Sequence, residues 1–110
     1  LKTQWTTSDV VYNRERTLGG PAWASDLAVW RKQSPFYRST KLSTPILLTV
    51  GEKDFRVPLN NTLEFWTVLQ RQGVPSRLVV FPDENHWVLK GENSRYHYQV
   101  IQDWFAKYLR

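Results

Sequence analysis

Three observations predict an α/β fold built on two parallel strands with flanking helices. The runs Ile46-Leu47-Leu48-Thr49-Val50 and Leu78-Val79-Val80-Phe81 are continuous, apolar and β-branched, as strands covered on both faces require. Leu59, Leu63, Trp66 and Leu69 recur at offsets of four and three between those runs, the spacing of an amphipathic helix. A second helical stripe, Val100, Ile101, Trp104, Phe105, Tyr108 and Leu109, follows the second run. The order strand, helix, strand, helix makes a parallel βαβ unit the economical topology.

Each element has its own boundary signals. Ser8-Asp9 is expected to cap a short helix reaching about Arg16, which Leu18-Gly19-Gly20-Pro21 stops. Ser25 is expected to cap a second helix from Asp26 to Gln33, ending before Pro35. Residues 35–44 read as a polar connection. Pro45 and Gly51 bound the first strand, and Pro58 suits the first turn of the helix carrying Leu59. Gly73 ends that helix and Val74-Pro75 prevents its resumption. The second strand spans 77–81, residues 82–94 form a loop, and the last helix runs from about Ser94 to Leu109.

Composition narrows the function. The chain has 110 residues, 41% hydrophobic and 15% aromatic, including six Trp. That is enough for one packed domain and too apolar for a disordered segment. The net charge of +5 comes from 15 Lys and Arg scattered between Lys2 and Arg110. Nucleic-acid sites cluster such charge on one face or element, so nucleic acid is not an expected partner. No stretch approaches the roughly 18 apolar residues of a membrane span. With no Cys, disulfides and thiolate metal sites are excluded, while the compartment is left open. No cofactor or metal is expected. The chain begins at Leu1 and contains no Met, which reads as a piece of a longer protein. Two parallel strands alone are rarely stable, so their sheet is expected to be completed by other segments of the parent polypeptide or by another copy.

Chemistry gathers at the carboxyl ends of parallel strands. Asp54 lies four residues beyond Val50, and His86 five beyond Phe81. Neighbouring strands are about 4.8 Å apart, so a carboxylate and an imidazole on adjoining loops can meet. A carboxylate accepting the Nδ1 hydrogen fixes the tautomer and leaves Nε2 free to take a proton from a hydroxyl. Each residue alone has an ordinary reading, Asp54 as a turn residue and His86 as a loop histidine. Their shared edge and the order acid-then-histidine match the triad arrangement of one hydrolase class. The third member is absent, because no Gly-x-Ser-x-Gly occurs. Ser8, Ser25, Ser34, Ser39, Ser43, Ser76 and Ser94 all lack the strand–elbow–helix context of a nucleophile. His97 reads as a packing residue on the last helix. Asp83 and Glu84 read as solvated loop carboxylates, since one nearby imidazole makes no metal site. Asn60-Asn61-Thr62 matches a glycosylation acceptor by chance at a helix start. Trp5, Trp23 and Trp30 read as packing aromatics, and Trp87 is placed beside the active site by its neighbour His86.

These residues resemble the C-terminal end of the catalytic domain in the prolyl oligopeptidase family of serine peptidases, and most closely its dipeptidyl aminopeptidase and acylaminoacyl-peptidase branches. The likeness rests on Thr44-Pro45 through Asp54 with Val57-Pro58, on Leu69 to Gly73, on Val79 to His86, and on Trp104-Phe105-Ala106-Lys107-Tyr108-Leu109. Tyr12-Asn13-Arg14-Glu15-Arg16 through Gly19-Gly20 is similar to the preceding stretch of the dipeptidyl-peptidase branch. The resemblance implies the C-terminal portion of an α/β-hydrolase fold, with Asp54 as triad acid and His86 as general base. It implies a peptide substrate, a nucleophile outside this chain and an isolated chain without activity. Many members carry Gly after the histidine, where this chain has Trp87. Two other readings stay open: an esterase or acyltransferase with the same acid and base, or a non-catalytic, aromatic-rich binding or assembly module.

Overall fold

The computed structural model describes residues 2–109. Helices α1 (Lys2–Thr7), α2 (Val11–Leu18) and α3 (Leu27–Gln33) and a 3₁₀ segment, Pro35–Lys41, precede strand β1 (Ile46–Gly51). Helix α4 (Leu59–Arg71) leads to strand β2 (Ser76–Phe81), and α5 (Gly91–Tyr108) follows. Among the described residues the sheet has two strands, paired in parallel from Ile46 opposite Ser76 to Gly51 opposite Phe81.

This register sorts the side chains. Thr49 and Phe81 share one face, and both meet His97 of α5, Thr49 by a 3.2 Å hydrogen bond and Phe81 ring to ring at 5.7 Å. Leu48 points to the other face, where it shares a hollow with Asn61 and Phe65 of α4. Helices therefore lie on both faces, as apolar parallel strands demand.

The structure corrects several boundaries. The N-terminal third holds α1, which the sequence did not announce. Its Thr6 and Thr7 hydroxyls donate back to the carbonyls of Lys2 and Thr3, a habit that weakens isolated helices. Burial of Gln4 and Trp5 sustains it instead. Ser8 accepts a hydrogen bond from the Val10 amide just ahead of α2 and donates its hydroxyl to the Arg56 carbonyl. It thus joins α2 to a distant loop. Helix α3 is capped by Asp26, whose carboxylate accepts from the Ala28 amide at 2.8 Å. Ser25, the expected cap, instead accepts from the Trp30 indole at 2.9 Å. The polar connection at 35–44 contains the 3₁₀ turn opened by Pro35. Helix α5 starts at Gly91, three residues before Ser94.

Packing falls into two regions. Trp5, Leu18, Ala22 and Trp30 form a buried cluster under the N-terminal helices, with the Trp5 and Trp30 rings edge to face at 6.0 Å. Val50, Leu69, Val74, Phe81 and Val100 are buried around the sheet. The α4 stripe is covered unevenly, since Leu69 is fully buried while Leu63 is 41% exposed. Helix α4 ends in a two-bond reversal, Gly73 N–H to Gln70 O and Val74 N–H to Leu69 O, with Gly73 at φ 67°. No helix among the described residues is long and apolar enough to cross a membrane.

At Gly51, the last residue of β1, the backbone that follows β2 passes close by. A Cβ there would press into the carbonyl oxygens of Asn85 and Glu84, which are backbone and cannot rotate away. Gly51→Ala is therefore expected to destabilise the fold by about 1–3 kcal/mol, the range for an overfilled site. Thermal unfolding measures this directly. An unchanged midpoint would show that the loop after β2 has room to move.

Candidate active site

Each strand delivers one polar side chain to the same rim. Past β1 the chain turns at once, with the Asp54 amide donating to the Gly51 carbonyl at 3.1 Å. Past β2, the Lys53 amide donates to the Glu84 carbonyl and the Glu52 amide to the Phe81 carbonyl, each at 2.9 Å. These bonds lash the two loops together and bring Asp54 and His86 into contact.

Asp54 is 7% exposed, and both of its carboxylate oxygens are hydrogen-bonded. Oδ1 accepts from the amides of Arg56 at 2.9 Å and Val57 at 2.8 Å. Oδ2 lies 2.9 Å from His86 Nδ1. A carboxylate only accepts, so the contact places a hydrogen on Nδ1, and in the neutral ring Nε2 then keeps its lone pair. The His86 side chain is 40% exposed. It opens onto a depression of about 470 Å³ that Asp54, Trp87, Leu89, His97 and Thr49 also line.

The acid's loop is anchored from the N-terminal helices. The Arg56 guanidinium grips Asp9 through Nε at 2.7 Å and Nη2 at 3.2 Å. The Gln4 side chain and Ser8 hydroxyl donate to the Arg56 carbonyl, and the Asp9 amide donates to the Phe55 carbonyl. The Arg56 hydrogen bond holds the Asp9 carboxyl below the usual carboxylate range, and Asp9 in turn raises the guanidinium. Nothing in the local pattern at Gln4, Ser8 or Asp9 signals this clamp, because its partner is some fifty residues away.

The other candidates divide. Trp87 sits against His86, rings 5.2 Å apart and edge to face, and is 64% exposed on the rim. His97 lines the same depression but is engaged by Thr49 and Phe81. Among the described residues no serine lines the depression and no three metal-ligating side chains converge. Asn60, in the first turn of α4, accepts a long 3.4 Å hydrogen bond from Thr7. Glu84 departs from its reading as a solvated loop residue. It is buried, and its oxygens accept from the amides of Leu89 and Lys90 and from the Asn93 side chain. Those bonds, Asn93 foremost, hold its carboxyl below the ordinary range against burial and the nearby Asp83. Asp83 is solvated, and pairs with Lys90 at 2.6 Å and with Asn93.

Known proteins share this sequence and shape. The family model described as "Prolyl oligopeptidase family" matches residues 1–110. The chain is 32% identical over 113 residues to dipeptidyl-peptidase 5 of Porphyromonas gingivalis, covering 100% of this chain and 16% of that protein. It is 36% identical over 104 residues to dipeptidyl-peptidase 5 of Aspergillus fumigatus, covering 93% and 14%. Among solved structures, Pyrococcus horikoshii acylaminoacyl peptidase superimposes with a TM-score of 0.86 at 23% identity, over 98% of this chain and 18% of that one. That likeness is one of fold, the α/β-hydrolase fold, with two parallel strands and their helices present here. The chain spans about a sixth of the length of the relatives it matches. On the family match over its whole length, and on relatives above 30% identity, the chain belongs to the prolyl oligopeptidase family.

Proposed function

We propose that this chain is the C-terminal portion of a serine exopeptidase that releases short peptides from the N-terminus of its substrate. It supplies the acid and base of the triad, Asp54 and His86. The observation that carries the reading is the 2.9 Å Asp54–His86 hydrogen bond, which leaves Nε2 facing an open depression at the carboxyl ends of two parallel strands. The names of its relatives, dipeptidyl-peptidase 5, support the substrate class.

In the intact enzyme a serine from outside this chain attacks the scissile carbonyl while Nε2 takes the hydroxyl proton. Asp54 holds the ring in the correct tautomer and stabilises the imidazolium. The tetrahedral intermediate collapses, the C–N bond breaks, and Nε2 returns the proton to the leaving amine. Water, deprotonated by the same nitrogen, then cleaves the acyl-enzyme ester and restores the serine. The chain alone has no nucleophile at this site and is inactive by this reading.

The sheet is completed by other segments of the parent polypeptide. The radius of gyration, 15.7 Å, exceeds the roughly 13 Å of a self-sufficient domain of this length. Phe105 and Leu109 of the last apolar stripe remain more than half exposed.

The intact parent protein decides the substrate class when offered a dipeptide chromogenic amide, an acylated aminoacyl amide and a simple ester. Hydrolysis of the dipeptide amide with kcat/KM at least about tenfold above that of the acylated amide is expected, a difference of about 1.4 kcal/mol in transition-state binding. Turnover of the ester alone would make the protein an esterase or acyltransferase. Turnover of none would favour a non-catalytic module.

A further inference from the structure

Glu84 is a buried charge that the proposed reaction does not consume, and its contacts bracket the histidine loop. Oε2 accepts from the Leu89 amide at 3.2 Å, while Oε1 accepts from the Lys90 amide and the Asn93 side-chain amide, each at 2.9 Å. Its own backbone amide donates to Phe81 at the end of β2, and its carbonyl accepts from Lys53, the residue before Asp54. One residue therefore ties together the end of β2, the acid's loop, the far side of the 84–90 loop and the start of α5. His86 sits in the middle of that loop.

Three donors converge on two oxygens, and only a group that accepts without donating satisfies them all. The residue is 4% exposed, so water does not replace a lost contact without entering the loop. Asp83 holds two of the same partners, Lys90 and Asn93, but from the solvent side. It makes the natural control.

We infer that Glu84 is a positioning residue for the general base, closing the 84–90 loop on itself so that His86 is held at the height and angle at which Nδ1 meets Asp54. The inference rests on the acid–base reading of Asp54 and His86. Glu84 acts through the loop backbone and touches neither the imidazole nor the substrate. A displacement of about 1 Å in a reacting group costs on the order of a hundredfold in rate, and the loop has no other buried side chain gripping both its arms.

The test uses the intact peptidase with a dipeptide amide substrate. Active serines are counted by the stoichiometry of phosphonylation taken to completion, so that kcat is expressed per competent site. Glu84→Ala is expected to lower kcat per site about 30- to 100-fold with KM within about threefold of wild type. Glu84→Gln keeps an oxygen for Lys90 and Asn93 and loses only the Leu89 acceptor, so it should fall only about three- to tenfold. Asp83→Ala should stay within about twofold. Normal kcat per site in Glu84→Ala, with the loss confined to the number of competent sites or to KM, overturns the inference. So does an equal loss in Asp83→Ala. Should Glu84→Ala fail to fold, Glu84→Gln decides: a reduced kcat at unchanged KM supports the inference, and wild-type kcat overturns it. His86→Ala run alongside separates the two layers. If it is inactive while Glu84→Ala is normal, only the positioning role is lost. If it is active, the acid–base reading itself falls.

Discussion

Replacing His86 by alanine in the intact enzyme is expected to lower kcat at least about 10⁴-fold while leaving KM within a few-fold, because triad members act as a unit and removing one forfeits nearly all their joint effect. The imidazole does two jobs in the proposed cycle. It takes the serine proton during attack and returns it to the leaving amine, so no single replacement group restores the rate. The side chain is well placed for truncation without collapse. It is 40% exposed, its side chain is hydrogen-bonded to Asp54, and its neighbour Trp87 is on the rim. Folding should survive, and an unchanged thermal midpoint in the variant would establish that the loss is chemical. Activity within tenfold of wild type would remove His86 from the reaction.

Asp54→Asn is expected to cost about 10⁴-fold in kcat through the histidine tautomer, with little effect on the loop. The Arg56 and Val57 amides both point at Oδ1, and they orient the new amide so that its oxygen accepts from them. Its NH₂ group then faces His86 Nδ1. Nδ1 must become the acceptor, the ring hydrogen moves to Nε2, and the base loses the lone pair it needs. A size-matched substitution that preserves the turn thus disables the neighbour. Steady-state kinetics and thermal unfolding of the same variant check both halves. A rate within about tenfold of wild type would mean that the 2.9 Å contact orients nothing the reaction uses. A large loss of stability would mean instead that the Asp54 charge is structural.

The two outcomes together distinguish an acid that orients from a histidine that transfers protons. If only His86→Ala is severe, Asp54 serves the turn. If both are severe and the folds intact, the pair works as one unit. The clamp of Gln4, Ser8 and Asp9 on residues 55 and 56 makes the second outcome the physical expectation, since the carboxylate is already immobilised before substrate arrives.

Much of this was written in local pattern. The strands at 46–51 and 76–81 lie within one residue of the spans expected from the apolar runs, because parallel strands covered on both faces tolerate few polar interruptions. Helix α4 was equally legible, with Pro58 before it and Gly73 at positive φ after it. Other features were hidden for definite reasons. Helix α1 carries three threonines and has weak helix propensity of its own. It persists because Gln4 and Trp5 are buried by later segments. The start of α5 went unseen because its first turn is met from outside, by Glu84, and no capping side chain sits at Lys90.

Periodicity and turn residues therefore determined which segments are strands and helices, and placed Asp54 and His86 just past two strand ends. Sequence spacing carries no information about which distant donors a given carboxylate meets. The passage of the 84–85 backbone over Gly51 arises from parallel pairing, which sets residues thirty positions apart side by side. The grip of Asp9 on Arg56 comes instead from docking of the N-terminal segment on the Asp54 loop, and the burial of Glu84 from the 89–93 segment folding back over it. Hydrophobic pattern is local and survives reading in one dimension, whereas hydrogen-bond complementarity is decided only when the strands are in register.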